Sequence, residues 1–314
     1  MQSPAKAVIS KYDNMKLKAI IFDWAGTVVD FGSLCPARAI QAAFSSKQID
    51  ITAQDIHRFM GIRKREHVQT LLSLPHVSAQ WRQIHGREPN SEDVQSLYEE
   101  SEKRMIESVA NFATLTPGLP EALTMVQHRG FRIGSTTGYT SPMMERLAPA
   151  AKRNGFNPEF WVASDQVPVG RPWPWMIYKN MEHLEICPPA AVIKLGDTVA
   201  DVEEANNAGV WSVAVVESSS LVGRARGELE TLPRREHTLL IKNALTKLSE
   251  AGAHFVIRNL FELEAVIEQI DERLAKGQTP PRFIHHTENG RESFQFWCQT
   301  ISRSLASCSA SAKD

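Results

Sequence analysis

No stretch of this sequence comes near the roughly 20 consecutive apolar residues that a membrane-spanning helix needs, so a role within a bilayer is not expected. Cysteine is scarce. The four present (Cys35, Cys187, Cys298 and Cys308) are widely scattered and form no CxxC pair, which argues against a disulfide framework or a zinc site. A surplus of either charge is missing too. The formal net charge is −1, which gives no general attraction to nucleic acid or to a membrane surface. The opening residues, MQSPAKAVISKYDNMK, have no signal-peptide apolar core and too little arginine for a transit peptide. Internal repeats are absent as well. The expectation is a soluble, cytoplasmic protein with neither nucleic acid nor membrane as a partner.

What is present is an apolar fraction of 42% over 314 residues, enough for one large domain or a core with a smaller inserted domain. A short apolar run, Ala19 to Phe22, is followed by a helical pattern in which Pro36 suits a first turn and Ile40, Ala43 and Phe44 recur at helical spacing. From Thr52 to Phe112 the signals are helical only. They comprise a capping box at Thr52 to Asp55, an apolar face at Val68, Leu71 and Leu72, and a longer helix from about Ser91. Alternation of strand and helix resumes after Pro117-Gly118, with strands expected in FRIGSTT, FWVAS, AVIKLGD, WSVAVV and GAHFVI. This order predicts an α/β fold, a doubly wound and mainly parallel sheet carrying an inserted α-helical cap. The expected division is a core of residues 17–48 and 115–275 and a cap of residues 49–114. A C-terminal extension, residues 276–314, is expected to be flexible.

The chemistry is concentrated where strands end. KAIIFDWAGTVVD stops its apolar run at Asp23, FRIGSTT ends at Thr137, Arg171 lies in VGRPWPW after FWVAS, and AVIKLGD ends at Asp197 with Asp201 one helical turn later. In a parallel sheet these strand ends share one rim, so the residues can converge although they are far apart in sequence. Asp23 and Asp197 together suit one hard cation such as Mg²⁺, while the Thr137 hydroxyl and the Arg171 guanidinium suit phosphoryl oxygens. Taken singly, each has a plainer explanation: a strand-end aspartate can be a helix cap, and an arginine a surface charge. In RKREHVQTLL, Lys64 and His67 fall on the same helical stripe as Val68, Leu71 and Leu72. A lysine there can simply lead its ammonium out to water. Partial burial beside Arg63 and Arg65 would instead lower its pKa, as a Schiff-base lysine requires, with His67 a candidate proton shuttle.

The segments DWAGTVVDFG, MGIRKREHV, GSTTGYT, GRPWPWMIYKN, KLGDTVADVEEANNAG and GAHFVI resemble the phosphonatase (phosphonoacetaldehyde hydrolase) family of the haloacid-dehalogenase superfamily, over about residues 17 to 270. That superfamily usually carries a second, acid/base aspartate two residues after the first, in DxDGT. Here the position holds Ala25. The resemblance implies Mg²⁺-dependent hydrolytic cleavage of the P–C bond of phosphonoacetaldehyde, with Asp23 as nucleophile and Lys64 forming a Schiff base. The leaving group is then a carbon that delivers its electrons into an iminium, and no acid is needed at position 25. It also implies a metal held by Asp23, the backbone carbonyl of Ala25 and Asp197, substrate contacts from Met60, Thr137, Gly138, Tyr139 and Arg171, and a homodimer. Gly61 is expected where the cap meets the substrate, Asp201 behind the metal, and Ser33 as a lining residue. Cys35, Trp24, Trp173 and Trp175 are expected mainly in packing. The rival readings are another capped phosphatase or phosphomutase acting on a small phosphate ester, and a catalytically dead interaction module.

Overall fold

The computed structural model describes residues 15–281. Six strands form one sheet in the order β3-β2-β1-β4-β5-β6, and every neighbouring pair is parallel. They are β1 (Ala19–Phe22), β2 (Arg132–Thr136), β3 (Phe160–Val162), β4 (Val192–Gly196), β5 (Trp211–Val215) and β6 (Phe255–Ile257). The five strands expected after the helical stretch are all present. β1 and β4 are buried at every position, the pattern of strands covered on both faces. β1 lies at the middle of the sheet, with Phe22 level with Ser135 on one side and Leu195 on the other. That register brings Asp23, Thr137 and Asp197 to the carboxyl edge together.

Between β1 and β2 the chain is helical: α1 (Leu34–Ser46), α2 (Ala53–Arg58), α3 (Lys64–Leu72), α4 (Pro75–His85) and α5 (Ser91–Ser108). The capping box at Thr52 and Asp55 is formed, and α5 has a second one at Asn90 and Asp93. Helix α4 was not singled out by periodicity, although Pro75 at its first turn and Gly86 at its end mark it. These helices enclose an apolar cluster of their own that includes Ile40, Phe44, Ile56, Met60, Val68, Leu71, Trp81 and Leu97. The buried face of α1 belongs to that cluster, so by packing the helical layer starts at α1, ahead of residue 49.

The sheet is flanked by α6 (Leu119–His128), α7 (Ser141–Arg153), α8 (Trp175–His183) and α9 (Val199–Ala208), then by α10 (Arg226–Thr231), α11 (Arg234–Glu250) and α12 (Leu263–Ala275). No helix among the described residues is long and apolar enough to cross a membrane. Of the extension expected after residue 276, the part from 282 onward lies outside the described residues. The chain before it is still held. His254 accepts from the Ser212 N–H at Nδ1 (2.9 Å), so its Nε2–H donates to the Pro281 carbonyl at 3.0 Å.

Candidate active site

Asp23 leaves β1 at the carboxyl edge, with its N–H on the Leu195 carbonyl (2.8 Å) and its side chain buried. The chain then turns back within a few residues, and Gly26 makes this possible. Its φ is +86°, and a Cβ there would stand 2.5 Å from Asp197 Oδ2. Asp197, at the end of β4, accepts from the Ser220 N–H at 2.8 Å and the Thr27 hydroxyl at 3.3 Å. The Ser218 hydroxyl donates to the Gly26 carbonyl at 2.6 Å, so the loop after β5 closes this side of the site.

Arg171 is buried among acidic groups. Its Nη2 donates to Asp23 Oδ1 at 2.6 Å and to Thr136, Nη1 is 2.9 Å from Asp201 Oδ1, and Nε donates to Glu204 Oε2 at 2.9 Å. Lys194, pointing out of β4, reaches Asp201 at 2.8 Å. The floor of the site thus holds four carboxylates (Asp23, Asp197, Asp201 and Glu204) against two cations, Arg171 and Lys194. Burial, and after it the charge of Asp201, pushes Asp23 above the ordinary carboxylate range. Burial and the charge of Asp23 push Asp197 further up. Asp201, also buried, is held below that range by Arg171 and Lys194.

One ligand oxygen from each of Asp23, Asp197 and Asp201 can be drawn within 4.8 Å of the others, a separation that one cation can span. Asp201 is already committed to Arg171, Lys194 and the Thr198 hydroxyl. Asp197 has no ion-pair partner among the described residues, so it is a buried carboxylate whose charge is left for something else to balance. The oxygen donors around that unmet charge fit a hard divalent cation.

The helical layer closes the other side. Lys64, at the first position of α3, is only 5% exposed, and its Nζ lies 5.4 Å from the centre of the Tyr139 ring. The amine is therefore kept inside and not led out to water. Burial lowers its pKa to about 8. Asp23 opposes that shift, and the Arg171 cation adds to it. Arg63 and Arg65, which the sequence suggested as the cause, point elsewhere: Arg63 to backbone carbonyls of the loop after β3, Arg65 to Gln95.

A narrow cleft lies between the two layers, lined by Asp23, Ala25, Ser33, Met60, Lys64, Thr137, Gly138, Tyr139 and Arg171, with Pro36, Gly61 and Thr198 completing it. Thr137 accepts the Tyr139 N–H at 3.1 Å, which leaves its own hydroxyl proton free to donate. Of the residues expected at the site, His67 is not on this wall. It is fully buried one turn behind Lys64, with Nε2 2.9 Å from the Ile56 carbonyl, and Nδ1 has no partner. Burial, with the charge of Lys64, drops its pKa to about 3, so the ring is neutral. Cys35 is buried in packing, with its N–H on Asp30. Trp24 is buried and donates to Ser135, whereas Trp173 and Trp175, expected in packing, are 56% and 48% exposed.

Sequence reasoning passed over Lys194 and Glu204. A lysine within a buried strand, AVIKLGD, was the available signal for the first. Glu204, one turn after Asp201 on α9, could be found by its helical spacing.

The cap layer presses on the core at Gly61. Its φ is +94°, and a Cβ would sit 2.3 Å from Thr198 Oγ1. Gly61→Ala is expected to hold the layers apart and cut kcat/KM about 10²-fold. Because the helices keep their own apolar cluster, circular dichroism should stay that of the parent.

A family model of haloacid dehalogenase-like hydrolases matches residues 17–209. The chain is 42% identical over 264 residues to the phosphonoacetaldehyde hydrolase of Syntrophobacter fumaroxidans, covering 84% of this chain and 95% of that one. It is 39% identical over 259 residues to that of Bacillus cereus, covering 82% and 98%. Its structure superposes with a TM-score of 0.83 on the crystal structure of a phosphonoacetaldehyde hydrolase-like protein from Oleispira antarctica, which is 35% identical, with 85% of this chain and 97% of that one covered. Parallel-sheet core, helical insert, strand-end carboxylates and near full-length identity agree, and the chain belongs to the haloacid dehalogenase-like hydrolases and, among them, to the phosphonoacetaldehyde hydrolase family.

Proposed function

We propose that this protein hydrolyses the carbon–phosphorus bond of phosphonoacetaldehyde to acetaldehyde and phosphate, with Asp23 as nucleophile and Lys64 as the amine that carries the carbon. The observation that carries the reading is one small cavity with a buried lysine amine on its cap side and a buried aspartate on its core side, while Ala25 stands where phosphatases of this fold keep an acid. A phosphate ester expels an alkoxide, which needs a proton. A carbon leaving group needs a place for its electron pair.

The steps follow from the side chains. Neutral Lys64 adds to the aldehyde, takes up one proton from solvent and loses water, forming a protonated imine; that proton is given back when the imine is finally hydrolysed. Asp23 attacks phosphorus, the P–C bond breaks, and its electrons enter the iminium to give an enamine on Lys64 and an aspartyl phosphate on Asp23. Water hydrolyses the aspartyl phosphate. The enamine takes up a proton at carbon, and a second water releases acetaldehyde and regenerates the amine, so the water lost at the start is returned and one is consumed overall. Arg171, held from behind by Glu204 and Asp201, presents Nη2 beside Asp23, where phosphoryl oxygens would lie. Thr137 offers its free hydroxyl proton, and Gly138 lets the substrate approach backbone. Tyr139 and Met60 flank the carbon end. His67 sits behind Lys64, buried and neutral with Nε2 on the Ile56 carbonyl, so this reading gives it no contact with substrate and no proton-transfer step.

Asp23, the Ala25 carbonyl and Asp197 would hold Mg²⁺, with Asp201 anchoring the residues around it. Bound there, the ion supplies charge neutralisation that lets one anion attack another. The homodimer belongs to the same proposal. A phosphatase or phosphomutase acting on a small ester lacks its proton donor at position 25, and no observation favours it.

The test is acetaldehyde formation from phosphonoacetaldehyde, coupled to NADH oxidation. Release in Mg²⁺, loss in EDTA and return on adding Mg²⁺ are expected. Hydrolysis of phosphate monoesters without acetaldehyde release would overturn the reading.

A further inference from the structure

Lys64 reaches the core site from a separate helical layer, so something must fix where its helix begins. The residue before it does this. Arg63 is the N-cap residue of α3, and its carbonyl accepts the His67 N–H at 2.9 Å in the first helical turn. Its side chain caps nothing in its own helix and crosses instead to the core. There Nε and Nη2 donate to the Ser164 carbonyl at 3.1 and 2.8 Å, Nη1 to Pro168 at 3.0 Å, and Nη2 also to Val167. Gly170 leaves room for it: a Cβ at that position would meet Arg63 Cγ at 2.9 Å.

The loop that accepts these bonds is part of the site. Ser164 donates from its N–H to the Tyr139 carbonyl at 3.0 Å and from its hydroxyl to Tyr139 and Gly138 at 3.1 and 3.3 Å. Three residues past Pro168 the same loop delivers Arg171 to Asp23. One guanidinium therefore joins the start of the amine's helix to the segment that holds both the Tyr139 floor and the phosphoryl-binding arginine. The acceptors are neutral carbonyls arranged as a cradle, which a forked, planar donor can fill and a single point charge cannot.

We propose that Arg63 is a positioning residue: its guanidinium latches α3 to the loop after β3 and so sets the amine of Lys64 over the phosphorus-binding floor. The proposal rests on the imine role given to Lys64 above. It places Arg63 in no contact with substrate, and its effect falls on the alignment of two layers, not on binding to the core.

The test uses Arg63→Ala and Arg63→Gln, the second keeping a polar side chain with two N–H donors so that folding is retained. Expected for Arg63→Ala is a fall in kcat of at least tenfold, with KM for phosphonoacetaldehyde and affinity for orthovanadate within about threefold of the parent. Arg63→Gln should lie between. Labelling of Lys64 by trinitrobenzenesulfonate, followed by peptide mass spectrometry, should quicken at least tenfold in Arg63→Ala. Turnover within twofold of the parent overturns the proposal. So does unchanged Lys64 labelling, or vanadate affinity that falls in step with kcat, since that would make Arg63 a builder of the core loop. If the parent itself releases no acetaldehyde, the functional reading fails, and the labelling comparison still decides whether the latch exists.

Discussion

Lys64→Arg is expected to abolish acetaldehyde release, a loss on the order of 10³-fold or more. Arginine keeps the positive charge and nearly the length, but its guanidinium stays protonated and cannot condense with an aldehyde. Loss of a mere electrostatic contact would be largely restored by this substitution; loss of a covalent electron sink would not. Borohydride added with substrate should reduce the imine, and peptide mass spectrometry should place the adduct on Lys64 in the parent and nowhere in the variant. The pH profile of the parent checks the same group. The amine must be neutral to attack, and burial brings it to about 8. Below that value activity should fall about tenfold per pH unit, and above it level off. A lysine at its ordinary value, near 10.4, would be about one part in a thousand neutral at pH 7.5, whereas at about 8 roughly a quarter is neutral. A rising limb that continued past pH 9.5 would show that the amine is not held in its buried position.

Asp23→Asn is expected to be at least as damaging, with kcat reduced on the order of 10⁴-fold or more. The amide is nearly isosteric and should leave the fold intact, but it is no nucleophile and removes one anionic oxygen from the cluster around Asp197 and Asp201. The informative contrast is with Lys64→Arg. Asp23→Asn should still form the borohydride adduct on Lys64, because imine formation precedes attack on phosphorus. Rapid-quench analysis with labelled phosphonate should find phosphoenzyme in the parent and none in the variant. If Asp23→Asn retained acetaldehyde release within tenfold, the aspartyl phosphate would have no part in the reaction.

The strand-end residues were legible for a physical reason. A buried parallel strand reads as an unbroken apolar run, and an aspartate that stops such a run stands out, as Asp23 and Asp197 do. The stripe of α3 was legible because Lys64, His67, Val68, Leu71 and Leu72 repeat at helical spacing, and all five are buried. Two things were not legible. The cause of the low lysine pKa was assigned to neighbours in sequence, Arg63 and Arg65, whereas burial dominates and the nearby cation is Arg171, 107 positions away. The partners of Arg63 are main-chain carbonyls about a hundred residues distant, and a carbonyl acceptor leaves no mark in composition or periodicity. Likewise Lys194 and Glu204 acquire meaning only when the sheet sets β4 and α9 around Arg171.

In the reading proposed above, the groups that would grip phosphorus gather at the carboxyl edge of the six-stranded sheet, and those that would face carbon, Lys64 at the start of α3 and Met60 in the turn before it, belong to the helical layer stacked above it. The two halves of the reaction are thus carried by separate pieces of architecture that meet only across the cavity. Grafting a different helical layer onto the same sheet would change which bond is broken while the handling of the phosphoryl group stayed as it is.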